Sequence, residues 1–314
     1  MRAIFRYPGS KWRLEEWIIE HFPPDYEKMI YLEPFVGSGA VFFNKRPSGV
    51  ETINDLESEI VNVFAVLRDQ PEELKRKLEL TPYSREEYDL AFEPCEDSVE
   101  RARRYFVRTT QAIGAKMNTR CGWRNHKTLK IGGTACKWGN ITDTIDEAVT
   151  RLRGSTTNLV QIEHMDALRL IEKYDSPDVL MYLDPPYVRS ARKSGRMYNF
   201  EMDDLQQENF LDLILKSKAK IVLSGYSCDL YDSKLAGWHK DTAASQITSG
   251  EFVEEVVWTN FKQYNQMSLF EKNKSTCRFL ERCFLCLLYG LQVGFTRFPQ
   301  TYRLGCAASY LNYT

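Results

Sequence analysis

Apolar runs short enough for buried strands alternate along this chain with stretches whose apolar positions recur at helical spacing. The runs fall at residues 29–33, 159–163, 179–183 and 221–223, and 50–54 and the β-branched stretch 251–261 add strand character of mixed polarity. Between them, helical patterns cover residues 57–80, 167–174 and 203–216, and Trp12, Trp17, Ile18 and Ile19 form the apolar face of an earlier helix. Strands that take turns with helices predict a mostly parallel sheet with helices packed on its faces, a Rossmann-like α/β fold. The rhythm fails between residues 81 and 155, where a long polar segment separates the second strand from the third. We therefore expect a discontinuous sheet domain (1–58 and 156–270), an inserted and mainly helical region (59–155), and a C-terminal tail (271–314) of different composition.

Punctuation at the strand ends carries the candidate chemistry. The run at 179–183 stops at Asp184-Pro185-Pro186-Tyr187. Proline can neither continue a ladder nor enter a helix interior, so the chain leaves the strand in a stiff extended loop. That loop presents a carboxylate, free carbonyls and an aromatic ring where open α/β sheets bind ligands. A carboxylate and a carbonyl suit the two N–H bonds of an amine on a planar base, with the ring of Tyr187 as a stacking face. Upstream, the run at 29–33 enters the turn Glu33-Pro34-Phe35-Val36-Gly37-Ser38-Gly39 and then a helix. Gly37 and Gly39 permit close backbone approach to a ligand at a helix start. The third glycine of the dinucleotide fingerprint is missing. Asp55 ends the second strand, at the spacing at which an acid reaches ribose hydroxyls in such folds. Its bland alternative is a helix-capping role. Asp166 ends the third strand and either bonds an adenine amino group or caps its helix, and His164 beside it reads as a structural loop histidine. Near the N-terminus, Pro8-Gly9 is a turn after which Ser10 is expected to cap a helix, with Lys11 in the first turn. A cation there opposes the helix dipole, so a ligand role for Lys11 stands beside that of an ordinary exposed lysine.

Composition changes the picture at one place. The chain has 314 residues and a net charge of −1, so no global field points to a polyanion. Yet residues 101–137 hold ten basic residues and no acid: Arg101, Arg103, Arg104, Arg108, Lys116, Arg120, Arg124, Lys127, Lys130 and Lys137. Trp123, Asn125 and several glycines interleave with them. That mixture is what phosphate contact plus base-edge reading requires. A solvated basic face is the plainer reading. Arg189 and Arg192 sit in a second basic stretch after the proline loop, placed to close over phosphates. No segment has the length and apolarity of a membrane span or a secretory signal. The eight cysteines fit reduced thiols of a cytoplasmic enzyme. Among them Cys283 and Cys286 form a C-x-x-C whose wider spacing, with Cys277 and Cys306, matches no common zinc pattern, so no metal is expected.

Tyr7-Pro8-Gly9-Ser10-Lys11, Glu33 to Gly39, Asn54-Asp55 and Asp184-Pro185-Pro186-Tyr187 occur in that order. Together they resemble the motifs of Dam-type DNA adenine methyltransferases, and Leu223-Ser224-Gly225-Tyr226 and Glu255 to Asn260 look like phage and prophage members. The resemblance covers roughly residues 3–262 and does not extend into the tail. It implies a Rossmann-like S-adenosylmethionine-dependent methyltransferase sheet with an inserted helical target-recognition region. It implies S-adenosyl-L-methionine as cofactor, held by Tyr7, Lys11, Glu33, Phe35, Gly37, Gly39, Asp55 and Asp166. The catalytic residues would be Asp184, Pro185, Pro186 and Tyr187. Double-stranded DNA would be the partner, met by Arg120, Trp123, Arg124, Asn125, Lys127, Arg189 and Arg192, with the protein a monomer that needs no protein partner and no metal. The adenine amine is a poor nucleophile because its lone pair is delocalised. Asp184 and the Pro185 carbonyl would draw it toward tetrahedral geometry, on a base flipped out of the duplex. The family often carries a histidine early in the next helix, where this chain has Gln206-Gln207-Glu208.

Other readings share parts of this pattern. Cytosine N4 methylation uses the same amine chemistry, usually with Ser where Asp184 stands, and Asn there is usual for protein glutamine or RNA adenine methylation. Cytosine C5 methylation needs a Pro-Cys nucleophile. Pro94-Cys95 exists, but Glu93, Glu96 and Asp97 surround the thiol and oppose its ionisation. A DNA-binding protein of the same fold that has lost turnover is the non-enzymatic alternative. GATC is the commonest target of the family and a guess here.

Overall fold

The pleat of each strand sorts its side chains between two cores. In β4 (Val179–Leu183) all five residues are buried. Leu180 and Tyr182 enter one cluster while Val179, Met181 and Leu183 enter the other. A parallel strand covered on both faces has to read as a continuous apolar run, and this one does. Its parallel neighbours are β1 (Ile30–Glu33) and β5 (Lys220–Gly225), in register Leu32↔Met181 and Met181↔Ile221. The computed structural model describes residues 1, 3–113, 122–125, 138–188, 200–246 and 252–262.

With β2 (Val50–Asn54), β3 (Leu159–Glu163), β6 (His239–Gln246) and β7 (Phe252–Thr259), the sheet has seven strands in the order β3-β2-β1-β4-β5-β7-β6. β7 runs antiparallel to both neighbours, and the other pairings are parallel. The strand order reverses between β1 and β4, which opens a crevice at their carboxyl ends. The mixed α/β sheet expected from the alternating pattern is what the chain forms.

One face is covered by α1 (Glu15–Glu20), α2 (Ala40–Asn44), and the helices between β2 and β3. These are α3 (Ser58–Asp69), α4 (Pro71–Glu79), α5 (Arg85–Leu90), α6 (Ser98–Gln111) and α7 (Ile145–Arg153). The other face carries α8 (Ala167–Lys173), α9 (Asp204–Lys216) and α10 (Asp229–Lys234). No helix among the described residues is long and apolar enough to cross a membrane.

A buried ionic knot ties the inserted helices to the sheet. Glu51 on β2 accepts from Lys45, from the Ser48 amide at 3.0 Å, from Arg151 through both guanidinium NH2 groups, and from Asn158 at 3.0 Å. Arg151, on α7, also donates to the Phe42 carbonyl at 3.0 Å and lies 4.0 Å over the Phe42 ring. The Lys45 and Glu51 side chains are fully buried. Burial opposes ionisation of Glu51, but Arg151 and Lys45 outweigh it and hold its carboxyl below the usual range. Burial pushes Lys45 down to about 8.

Several local expectations change. Ser10 caps no helix: α1 starts at Glu15, and the Ser10 hydroxyl meets that of Ser38 at 2.8 Å. Lys11 therefore lies in a turn, free of any helix dipole. β6 and α10 escaped the pattern because β6 is a polar edge strand, paired through β7 alone. The four arginines of α6 do not form a polyanion-facing stripe. Arg101 and Arg108 pair with Glu59, Arg103 with Glu87 and Glu100, and Arg104 with Glu100. Acids from outside the 101–137 window neutralise them, which a local charge count does not reveal. Cys95 lies between α5 and α6, outside the cavity described next. The cysteines at 277, 283, 286 and 306 and the rest of the tail lie outside the described residues.

Candidate active site

The crevice at the strand-order reversal holds a cavity of about 420 Å³. That is within the 300–1,000 Å³ typical of small-molecule sites. Tyr7, Lys11, Glu33, Phe35, Gly37, Asp55, Asp166, Asp184 and Pro186 line it, so four separate strand-end segments and the N-terminal turn converge. Gly37 takes φ 50° and stands so close to Tyr7 that an added Cβ would lie 2.9 Å from its ring. Gly39 does not line the cavity. Its φ of 70° lets it precede α2, and its Cα faces Phe43 in the core, where a Cβ would come within 2.7 Å. Its neighbours Ser38 and Ala40 line the cavity on either side of it.

A half-buried carboxyl, Asp55, and a buried one, Glu33, sit in this wall. Asp55 accepts from the Gly37 amide and the Glu57 amide, each at 2.9 Å, so it braces the glycine turn as well as facing the cavity. Burial pushes its carboxyl up to about 6. Glu33 accepts from the Tyr31 hydroxyl at 2.6 Å and is pushed up to about 8, again by burial, so at neutral pH it holds a proton. Asp166 accepts from the Arg169 amide at 3.1 Å and so caps α8 while lining the cavity. His164 bonds the Leu56 carbonyl at 3.2 Å, a loop-bracing role.

At the other side of the cavity the proline loop is held from three elements. The Lys11 ammonium donates to both Asp184 oxygens at 2.9 Å, to the Gly9 carbonyl at 3.0 Å and to the Tyr187 hydroxyl. Ser224 on β5 donates to Asp184 Oδ1 at 3.1 Å and pairs with the Tyr182 hydroxyl at 2.9 Å. The Tyr187 hydroxyl in turn donates to Glu255 on β7 at 2.7 Å. From the other sheet face, Gln207 on α9 is wholly buried and donates to the Pro186 carbonyl at 2.7 Å, while its own carbonyl accepts from Tyr231 at 2.7 Å. The Pro185 carbonyl accepts no hydrogen bond among the described residues. Burial raises the Asp184 carboxyl, and Lys11 and Ser224 pull it back in part.

Three features differ from expectation. Tyr187 presents no open stacking face: its ring is buried, lies 4.3 Å from the Tyr226 ring, and turns its hydroxyl inward. The half-buried Tyr226 is the ring toward the outside. Gln207, in the position left open by the missing histidine, grips the loop, while Gln206 closes a capping box with Asp203. Glu255 was not foreseen, although an acid heading the run Val256-Val257-Trp258 is the kind of signal that marked Asp184.

Of the residues expected at DNA, Trp123, Arg124 and Asn125 are described. Trp123 donates its ring N–H to Gln111 at 2.9 Å and packs on Tyr83, with Arg85 at 5.1 Å over its ring. The Arg124 amide donates to the Gln111 carbonyl at 2.8 Å, and its own carbonyl accepts from Tyr83 at 2.7 Å. Its charge lies near Arg6, whose guanidinium is pulled down first by burial and then by Arg124. Asn125 is exposed. Arg120, Lys127, Arg189 and Arg192 lie outside the described residues.

The sheet is parallel but for one antiparallel strand second from its edge, and the cavity lies at the reversal of strand order. The chain belongs to the D12 class N6 adenine-specific DNA methyltransferases: the sequence model of that family matches residues 7–247. It is 26% identical over 212 residues to the type II methyltransferase M1.LlaDCHI of Lactococcus lactis subsp. cremoris, covering 62% of this chain and 69% of that protein. A solved rRNA methyltransferase, aviRa from Streptomyces viridochromogenes, aligns at 12% identity with a TM-score of 0.40 over 82% of this chain and 89% of its own. The protein is thus a DNA methyltransferase of the N6 adenine class, and adenine in DNA is its substrate class.

Proposed function

We propose that the chain transfers a methyl group from S-adenosylmethionine to the N6 amine of an adenine flipped out of double-stranded DNA, as a site-specific modification enzyme that acts as a monomer. One observation carries the reading: Asp184 and the Pro185 carbonyl stand as neighbouring acceptors at a strand end beside a cavity of cofactor size. An ionised carboxylate has about four lone-pair positions. Lys11 takes one on each oxygen and Ser224 one on Oδ1. One position on Oδ2 is left for an amine N–H, and the Pro185 carbonyl suits the second. Gln207 fixes Pro186 from behind, so the carbonyl before it has a set direction. These residues orient the amine and bias its charge, which is where catalysis by geometry and preorganised dipoles resides.

Asp55, Asp166 and Phe35 all line the cavity; Asp55 would accept from ribose hydroxyls, Asp166 from an adenine amine, and Phe35 would supply an apolar wall. When bound, S-adenosylmethionine supplies an electrophilic methyl on a sulfonium. Hydroxyl donors favour the ionised form of Asp55, whose carboxyl sits at about 6 in the free protein. Binding therefore draws that value down, and affinity should climb as pH rises through about 6, then level off. Calorimetry between pH 5 and 8 checks this, and an affinity that ignores pH across that range rejects the ribose assignment.

For DNA, Arg124 brings positive charge to the neighbourhood of Arg6, whose guanidinium burial and then Arg124 pull down, and two cations there suit a phosphate. Arg124→Ala should weaken duplex binding several-fold and flatten its salt dependence by about one unit of slope. Arg103→Ala should do neither, since Glu87 and Glu100 already neutralise that residue. Equal salt slopes for wild type and Arg124→Ala would remove Arg124 from the interface. The function itself is tested by incubating the protein with unmethylated duplex and labelled S-adenosylmethionine, then digesting to nucleosides. Label in N6-methyladenine supports the reading. Label only in methylcytosine would favour N4 chemistry, and retention of DNA without transfer would favour a binding protein.

A further inference from the structure

Glu255 has no place in the chemistry outlined above, yet it is buried and engaged by both Tyr187 and Lys11. It is 3% exposed, on β7, the one strand that runs against its neighbours. It accepts from the Tyr187 hydroxyl at 2.7 Å and lies 3.5 Å from the Lys11 ammonium. Lys11 is at the same time bonded to both oxygens of Asp184 and to the Tyr187 hydroxyl, over whose ring it stands at 4.8 Å. A cation shared between two carboxylates has its position set by both. Without Glu255, Lys11 and the tyrosine hydroxyl lose this inner anchor.

We propose that Glu255 is a positioning residue for methyl transfer, which by anchoring Lys11 and the Tyr187 hydroxyl keeps Asp184 aimed into the cavity and only partly neutralised, so that it remains a competent acceptor for the amine. This rests on Asp184 being that acceptor. The charged and titratable groups that face this pair come from every element packed on it. They are Lys11 from the N-terminal turn, Glu33 from β1, Tyr182 from β4, Tyr187 from the loop, Tyr226 after β5 and Tyr231 from α10. Among them Lys11 is the cation, and it lies between the two carboxylates. Lys11 lowers both carboxyls while Asp184 raises Glu255 by repulsion, so the two acids are coupled around one cation.

The test is the pH dependence of single-turnover transfer, with cofactor and duplex bound beforehand. Glu255→Gln keeps the shape and an acceptor for Tyr187 but removes the charge. It should slow transfer roughly tenfold with cofactor affinity near wild type, and shift the acid limb of the rate profile down by on the order of one pH unit. Lys11→Met should move that limb up. Limbs that stay at the wild-type pH in both variants overturn the proposal, since a purely structural role would alter rate or stability without moving them. Should Glu255→Gln fail to fold, the Lys11→Met profile alone decides, because an unmoved limb there breaks the link between Glu255 and Asp184. Turnover by Asp184→Ala near the wild-type rate would instead refute Asp184 as acceptor, so the two failures are separable.

Discussion

Asp184→Ala is expected to lower single-turnover methyl transfer by at least about 10³-fold while cofactor affinity stays within several-fold of wild type. Removing one preorganised partner of a reacting group costs on the order of 10²–10³. Here the loss is larger because the substitution removes more than an acceptor. Lys11 donates to both oxygens of Asp184 and would lose its closest anion at a nearly closed site. It would turn to Glu255, 3.5 Å away, and drag the Tyr187 hydroxyl with it. Asp184→Asn divides the two effects. It keeps one acceptor of the same size but no charge, so it should retain more activity than the alanine variant, and Lys11 should be held less firmly. Rates from rapid quench with labelled cofactor, together with calorimetric affinity, check this. An alanine variant within tenfold of wild type would show that Asp184 does not contact the amine.

The largest effect on stability should come from Glu51→Ala. Its carboxylate gathers Lys45, Arg151, the Ser48 amide and Asn158 at a fully buried position. Removing one partner of a buried ion pair leaves the other charges uncompensated, at a cost of about 3–5 kcal/mol. Two cations would remain here, and each would face the other in a low-dielectric site. For a body of this size that corresponds to a melting temperature lower by roughly 10 °C. Glu51→Gln, which keeps the hydrogen-bonding shape, should fall between the two. Replacing Lys45, Glu51 and Arg151 together by apolar residues of similar volume should cost less than Glu51→Ala, because no charge is then stranded. A thermal melt of Glu51→Ala that overlays wild type would contradict the ionic knot. Because Arg151 belongs to the last helix before β3, the loss should loosen the inserted helices from the sheet as well as lower global stability. Faster hydrogen exchange in α7 would report that loosening.

The strand residues show why so much of the fold was readable. Val179–Leu183 is buried on both faces, and a doubly covered parallel strand has one sequence solution, an unbroken apolar run. β2 and β3 were legible from their β-branched and apolar positions, Val50 and Ile53 in one and Leu159, Val160 and Ile162 in the other, although β3 is an edge strand. β6 was not, because its described side chains from His239 to Ala244 are nearly all exposed and leave no apolar run to read. The helices between β2 and β3 were legible as helices, but the basic window within them misled. Arg101, Arg103, Arg104 and Arg108 find Glu59, Glu87 and Glu100 through packing that a charge count along the chain does not include.

The active site divides along the same line. The local chemistry of Asp184-Pro185-Pro186-Tyr187 could be read directly, since proline stops a strand whatever surrounds it. So could the turn at Gly37, where the backbone needs a positive φ and room beside Tyr7. By itself, then, the sequence determined a parallel α/β sheet, the strand end that bears the acid and prolines, and the resemblance to adenine methyltransferases. Only the tertiary structure decided what those groups touch. Lys11 and Asp184 are 173 residues apart in the chain and 2.9 Å apart in space. Gln207 and Glu255 reach the loop from opposite sides of the sheet. Tyr187 turns its hydroxyl inward because Glu255 and Lys11 are waiting there. Local sequence sets what a residue can donate or accept, whereas the partner that takes up the offer is chosen by strand order and side-chain face, which no short window of the chain contains.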